Sequence, residues 1–332
     1  MRTFRMHRNA LIIAFAAMLA SEVAAFSLVQ PCSRLHCSRL AATDEEIAWM
    51  LDDSAWDEDD DEDDEAFDEQ MRIRAAAEHE SYASRTTPLA PATDAVDAVR
   101  TRGVALVEDA LPDASLREAL RSRILERRDA GAGLSAVLGE RCDGGATTRF
   151  DIRLPYDDVV SEATTTLLRG PLAAALDALV GPEAQLWECA ALVSEAGAPA
   201  QTVHGDTFWD SEPCLYTAFV ALQDIDLERG PTLFFPGSHL SPDAQDDLED
   251  DGPSVLDAFG AELGAMRAGA CTLYDGRLLH AGQPNSKGTR VLFYVSFKAP
   301  GADGGLGNEA AHSIDAELFG RGLTLGDLIL SV

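Results

Sequence analysis

The chain has 332 residues, an apolar fraction of 46% and a formal net charge of -31. That length and apolar content are enough for a sizeable core. The acidic excess argues against a nucleic-acid partner, because phosphate backbones are bound through Lys and Arg.

The N-terminus reads as an address. Arg2, Arg5 and Arg8 precede the eleven-residue apolar run ALIIAFAAMLA (10–20), and Val23-Ala24-Ala25 follows. The run is too short to span a bilayer, and with the basic start and the small residues it predicts a signal peptide over residues 1–25. Residues 26–43 hold no acid but carry Ser27, Ser33, Arg34, Ser38 and Arg39. This stretch resembles a plastid transit segment, so a bipartite plastid leader is the expectation and the secretory pathway the alternative destination. No stable membrane insertion of the mature chain is expected.

Residues 44–69 contain sixteen acidic side chains and no basic one. A run such as DEDDDEDDE (57–65) repels itself and has nothing to bury. Residues 44–92 are therefore expected to be an acidic, disordered linker, suited to a basic partner if it binds one. The folded domain is expected over residues 93–332.

Helical spacing runs up to Arg102, where Gly103 stops it, and Val104 to Val107 reads as a short strand. Residues 112–128 predict an amphipathic helix opened by Pro112 and Asp113, and residues 148–154 a strand. One helix is expected over 161–180, with Leu167, Leu168, Leu172, Leu176 and Leu179 on a single face. Short strands are then expected at 184–194, 199–205, 213–223, 232–235, 269–275 and 289–298. The pattern predicts an α+β chain with helices packed outside a double-sheet jelly roll. The six cysteines form no C-x-x-C pair. Cys189, Cys214 and Cys271 fall in strand-like runs and read as buried free thiols.

Three signals carry chemistry. In His204-Gly205-Asp206, an extended backbone projects the imidazole and the carboxylate to the same side, and that mixed N/O pair suits ferrous iron. His280 closes the segment GACTLYDGRLLH and offers a second imidazole. Arg290 lies ten residues further on, past a turn through Gly282, Pro284, Asn285 and Gly288. Its strand is expected beside the one bearing His280, where a guanidinium clamps a carboxylate with two hydrogen bonds. Each signal alone has a bland reading, since H-x-D pairs and strand-end His or Arg residues are common.

Taken together, QTVHGD (201–206), ALQDIDLERGPTLFFPGSH (221–239) and LYDGRLLHAGQPNSKGTR (273–290) resemble the phytanoyl-CoA dioxygenase family of Fe(II)/2-oxoglutarate oxygenases. The resemblance implies a double-stranded β-helix of the cupin-like, jelly-roll type with flanking helices. It implies iron held by His204, Asp206 and His280, which are also the catalytic residues. It implies Arg290 on the distal carboxylate of 2-oxoglutarate, an upstream basic residue (Arg149 or Arg153) and a hydroxyl residue (Thr217 or Tyr216). The co-substrates would be 2-oxoglutarate and O2, with ascorbate as a supporting reductant. Ser238 and His239 read as structural. Phe208 and Trp209 are candidates for the substrate side or for the core. Gly282 departs from members that place a serine there, so another contact must take over. The expected activity is hydroxylation of a small organic substrate, lipid-like ones included, with release of succinate and CO2. The rivals are a protein side-chain hydroxylase and a non-catalytic jelly-roll binding module. Nothing in the sequence identifies a coenzyme A site.

Overall fold

The computed structural model describes residues 61–136, 147–207, 213–302 and 313–330. The leader, the acidic segment up to residue 60, Cys32, Cys37, Cys142, Phe208 and Trp209 lie outside the described residues. Among the described residues, no helix is long and apolar enough to cross a membrane.

In chain order the elements begin with α1 (Asp61–Tyr82), β1 (Thr86–Pro88), α2 (Ala95–Arg102), β2 (Val104–Val107) and α3 (Ala114–Asp129). They continue with β3 (Leu134–Ala136), β4 (Arg149–Arg153), α4 (Asp158–Leu167), α5 (Pro171–Val180), β5 (Gln185–Ser194) and β6 (Leu215–Ala221). Then come β7 (Thr232–Phe234), α6 (Ala244–Asp250), β8 (Ala261–Leu263), β9 (Cys271–Asp275), β10 (His280–Gly282), β11 (Arg290–Lys298), α7 (Ala316–Gly320) and α8 (Leu325–Leu330).

Helix boundaries follow local chemistry. Asp113 caps α3 by accepting from the amides of Ser115 and Leu116 at 2.8 and 3.2 Å, which satisfies two of the orphan donors of the first turn. The single helix expected over 161–180 is two. α4 ends at Leu167, and Pro171 opens α5 after Gly170. Proline lacks the amide hydrogen a continuous helix needs but suits a first turn. The shared apolar face survives the break, because Leu167, Leu168, Leu172 and Leu176 are all buried in one cluster.

Two sheets face each other. The major sheet has the order β2-β9-β6-β11-β5-β4-β3 and the minor one β1-β8-β7-β10. Every adjacent pair is antiparallel except β1 with β8. The alternation of β11 sorts the core. Val291, Phe293, Val295 and Phe297 join the cluster under the helices. Leu292 and Tyr294 point the other way, into the space between the sheets with Phe219, Phe234 and Tyr274. This is an α+β double-stranded β-helix with helices flanking the major sheet.

The folded body reaches upstream of Thr93. Tyr82 is fully buried against Phe235, with ring centroids 5.5 Å apart, and β1 pairs with β8. The acidic composition of residues 61–69 hides this, because the contacts come from the last turns of α1, where Ala75, Glu78 and Tyr82 are buried. Two local expectations also change. Residues 199–205 do not form a regular strand, and His204 pairs with His280 through one isolated bridge. The strand of Arg290 does not run beside that of His280. β10 pairs with β7 in the minor sheet, while β11 lies between β5 and β6 in the major one. Arg290 and His280 therefore approach one cavity from opposite sheets.

Candidate metal centre

His204 and His280 stand directly opposite across an antiparallel bridge. The His204 amide donates to the His280 carbonyl at 3.0 Å, and the His280 amide returns the bond at 2.8 Å. Opposed residues share a face, so both rings emerge together, with centroids 4.6 Å apart. Asp206, two residues on, joins them, and one ligand atom from each of the three lies within 4.8 Å of the others.

The ring orientations suit metal binding. Each Nδ1–H donates to a backbone carbonyl two residues upstream, His204 to Thr202 at 2.8 Å and His280 to Leu278 at 2.9 Å. A carbonyl only accepts, so the neutral ring carries its proton on Nδ1 and leaves the Nε2 lone pair for a metal. Burial, reinforced by the neighbouring His280, lowers the His204 pKa to about 4, which keeps that ring neutral. Burial works to raise the Asp206 carboxyl, but His280, His204 and Tyr274 outweigh it and hold it below its ordinary value. Burial likewise opposes charge on His280, and Asp206, 3.4 Å from Nε2, overcomes it. Two imidazoles and one carboxylate converging in this way fit a ferrous ion.

The surrounding groups fix the ligands. The Tyr274 hydroxyl donates to Asp206 Oδ2 at 2.8 Å. Burial above all, and the Asp206 charge next, push the Tyr274 pKa far up, so the proton stays on the phenol. Ser238 Oγ accepts from the Leu279 amide at 2.9 Å, beside His280. Asp275 and Arg277 form a buried ion pair, with Nη2 to Oδ2 at 2.7 Å, that locks the turn before the strand. His239 is buried beside Gly103, and its Nε2 lies 3.3 Å from the Arg100 carbonyl. It is not part of the ligand cluster.

Arg290 is fully buried and lines the same cavity, of about 140 Å³, as the three ligands. Its Nη1 donates to the Gly230 carbonyl. Gly230 has φ 64, and a Cβ there would come within 2.3 Å of the Gln283 carbonyl, so only glycine fits. Arg149 is also fully buried, and its Nη2 donates to the carbonyls of Pro199 and Gln283 at 3.0 and 3.3 Å, tying together the two segments that carry the histidines. Arg153 lies elsewhere, with its backbone engaged by Gly133 and Arg127. Thr217 lines the cavity and shares a 2.9 Å hydrogen bond with Ser296. Tyr216 faces the helix-side core.

At Gly282, Gln201 occupies the space a side chain would use. A Cβ there would meet Gln201 Oε1 at 2.5 Å, and that oxygen accepts from the Gly282 amide at 2.9 Å. Gln201 lines the cavity, so it stands where the departure from the motif called for another contact. Sequence reasoning missed Gln201, Tyr274, Glu78 and Glu188 as contributors. The first two lie inside the quoted motifs and could have been singled out there; the others have no local signal.

The family model for phytanoyl-CoA dioxygenase matches residues 99–291, more than half of the chain and all four of His204, Asp206, His280 and Arg290. The chain belongs to the phytanoyl-CoA dioxygenase family. As a member it is a 2-oxoglutarate-dependent non-haem iron oxygenase. Solved structures agree on the fold. The non-haem alpha-ketoglutarate-dependent epimerase SnoN from nogalamycin biosynthesis superposes with a TM-score of 0.51 at 21% identity, over 65% of this chain and 92% of its own. The carbocyclase SnoK from the same biosynthesis gives 0.51 at 19% identity, over 64% and 87%. AviO1 from Streptomyces viridochromogenes Tue57 gives 0.50 at 24% identity, over 66% and 100%. At these identities the likeness extends to the fold alone. No curated protein matches the chain.

Proposed function

We propose that the chain hydroxylates a small organic molecule at a C–H bond, using iron held by His204, Asp206 and His280 and 2-oxoglutarate paired with Arg290. The observation that carries this reading is the convergence of the three ligands from the minor-sheet side on the cavity that Arg290 enters from the major sheet. Ferrous iron with 2-oxoglutarate and O2 supplies the oxidising power, with succinate and CO2 as co-products and ascorbate keeping the metal reduced.

The protein's own contribution is placement. The His204–His280 bridge fixes two imidazoles, and the Tyr274 hydroxyl fixes the carboxylate. The buried Arg290 guanidinium binds the co-substrate's distal carboxylate by charge-assisted hydrogen bonds. The walls between the sheets restrict water around the reacting centre. The family name is not carried over to the substrate: the cavity walls set the polar Asp151, Glu188 and Thr217 beside the apolar Leu192, Leu215 and Phe219.

The test is to incubate the purified full chain with ferrous ion, ascorbate and 2-oxoglutarate and to measure succinate. Release above the metal-free control is expected. Arg290→Ala is expected to weaken 2-oxoglutarate binding by about tenfold or more, the loss of a charge-assisted bidentate contact. Unchanged 2-oxoglutarate affinity in that variant would contradict the clamp.

A further inference from the structure

The cavity has two electrically opposite ends. β11 sends Arg290, Leu292, Tyr294 and Ser296 to the space between the sheets, and at about 3.4 Å per residue Arg290 and Ser296 are about 20 Å apart along the strand. At the Arg290 end, Ser194 on β5 is in register with both Arg290 and Arg149. That basic end accounts for an anionic co-substrate. At the other end, Ser296 is in register with Glu188 and donates to its Oε2. Between the two ends, Asp151 is level with Leu192 and Leu292 and accepts from the Tyr294 hydroxyl at 2.9 Å and from Ser313 at 2.7 Å.

Glu188 and Asp151 are 7% and 9% exposed, and both line the cavity. No basic side chain pairs with Glu188 among the described residues; its neighbours are hydroxyls and further carboxylates, Asp151 and Asp206. A buried carboxylate without a counter-ion is unfavourable, so Glu188 holds a proton until a cation takes that place.

We infer that the acidic wall of the cavity, formed by Glu188 and Asp151, binds the prime substrate through a protonated amine, so the substrate is a compact organic cation and not an acyl thioester. This rests on the proposed function and names the substrate class of that same site. The ammonium would take the place of the missing counter-ion between the two carboxyls, with Thr217 and Ser296 offering hydroxyls to polar groups beside it. The opposite polarity of the ends sets orientation, since like-charge juxtaposition disfavours the reversed pose. Burial, which pushes the Glu188 carboxyl up to about 8, agrees with a site that awaits its cation.

The experiment uses the full chain loaded with ferrous ion and 2-oxoglutarate without O2. Binding of 1,4-diaminobutane, 4-aminobutan-1-ol, butane-1,4-diol and hexanoate is measured by calorimetry. The amines are expected to bind at least about tenfold more tightly than the isosteric diol, consistent with a charge-assisted contact, and hexanoate not at all. Glu188→Gln is expected to remove that preference. Should Glu188→Gln fail to fold by circular dichroism, Asp151→Asn and the order of the four probes on the unaltered chain carry the test. Diol or hexanoate binding as tightly as the amines, or an amine preference untouched in a folded Glu188→Gln, overturns the inference. Succinate release without any probe reports on the proposed function separately. If it persists while the amine preference is missing, only the substrate class is wrong. If there is no succinate under any condition, the parent reading fails.

Discussion

Glu78 Oε2 accepts a hydrogen bond from the Val203 amide at 2.6 Å, one residue before His204. Glu78 is fully buried, and Arg74 donates to its other oxygen at 2.8 Å. The next residue, His79, has Nδ1 3.1 Å from Gln283 Oε1, and Gln283 in turn donates to the Tyr82 hydroxyl at 3.1 Å. The end of α1 thus holds both segments that carry His204 and His280. Glu78→Ala leaves a buried amide without its acceptor, which costs about 1–3 kcal/mol. A lowered midpoint of thermal unfolding is expected, together with weaker iron binding in the variant that remains folded. Removing residues 1–82 is expected to be worse than Glu78→Ala. Equal iron affinity in the parent and in the truncated chain would show that α1 plays no part in the centre.

The Tyr274 hydroxyl reaches the candidate centre through Asp206, and its ring packs against His280. Tyr274→Phe keeps the ring packed against Phe219 and Phe234 and removes the hydroxyl alone. Partners of this kind are worth about 10–100-fold in metal affinity. An iron titration of Tyr274→Phe is expected to show a loss in that range with little change in unfolding temperature.

Gly282 and Gln201 are coupled by space. Gly282→Ser puts a Cβ within 2.5 Å of Gln201 Oε1 and is expected to destabilise the chain and weaken 2-oxoglutarate binding. In Gly282→Ser with Gln201→Ala the obstruction is gone, so the double variant is expected to recover part of the loss. A non-additive cycle in 2-oxoglutarate affinity checks this; strict additivity would separate the two residues.

Glu188 gives the metal-free chain a pH signature. Burial raises its folded pKa from the ordinary 4.5 to about 8. Between those values the folded chain keeps a proton that the unfolded chain has released. Stability therefore falls as pH rises from about 4.5 to about 8, and the loss is complete above that. Glu188→Gln removes this contribution and is expected to gain on the order of a few kcal/mol relative to the parent at pH 8 but not at pH 5. Asp151, also raised by burial, contributes a slope of the same sign. Unfolding curves at the two pH values read the difference directly.

Much of the centre was legible because its chemistry is local. His204-Gly205-Asp206 needs only an extended backbone, and the D-G-R turn and the P-G-S-H block sit next to the residues they hold. The rest is non-local. β8 and β10 are three residues long, too short for a periodic signal, and with β10 unseen the Arg290 strand looked like the neighbour of His280. The Gly170–Pro171 break was present in the sequence but hidden by leucine spacing that continues on both sides. Glu78 meets Val203 across 125 residues of chain and Glu188 meets Ser296 across 108, and no spacing rule connects such pairs. The acidic end of the cavity emerges only when β4, β5 and β11 are laid side by side.

The most direct test is the stoichiometry of ferrous iron bound under anaerobic conditions by the full chain and by four single alanine variants. The parent and His239→Ala are expected to bind one equivalent. His204→Ala, Asp206→Ala and His280→Ala, folded by circular dichroism, are expected to bind little at the same concentration. Full occupancy in any of those three, or loss of iron in His239→Ala, would contradict the assignment of the centre.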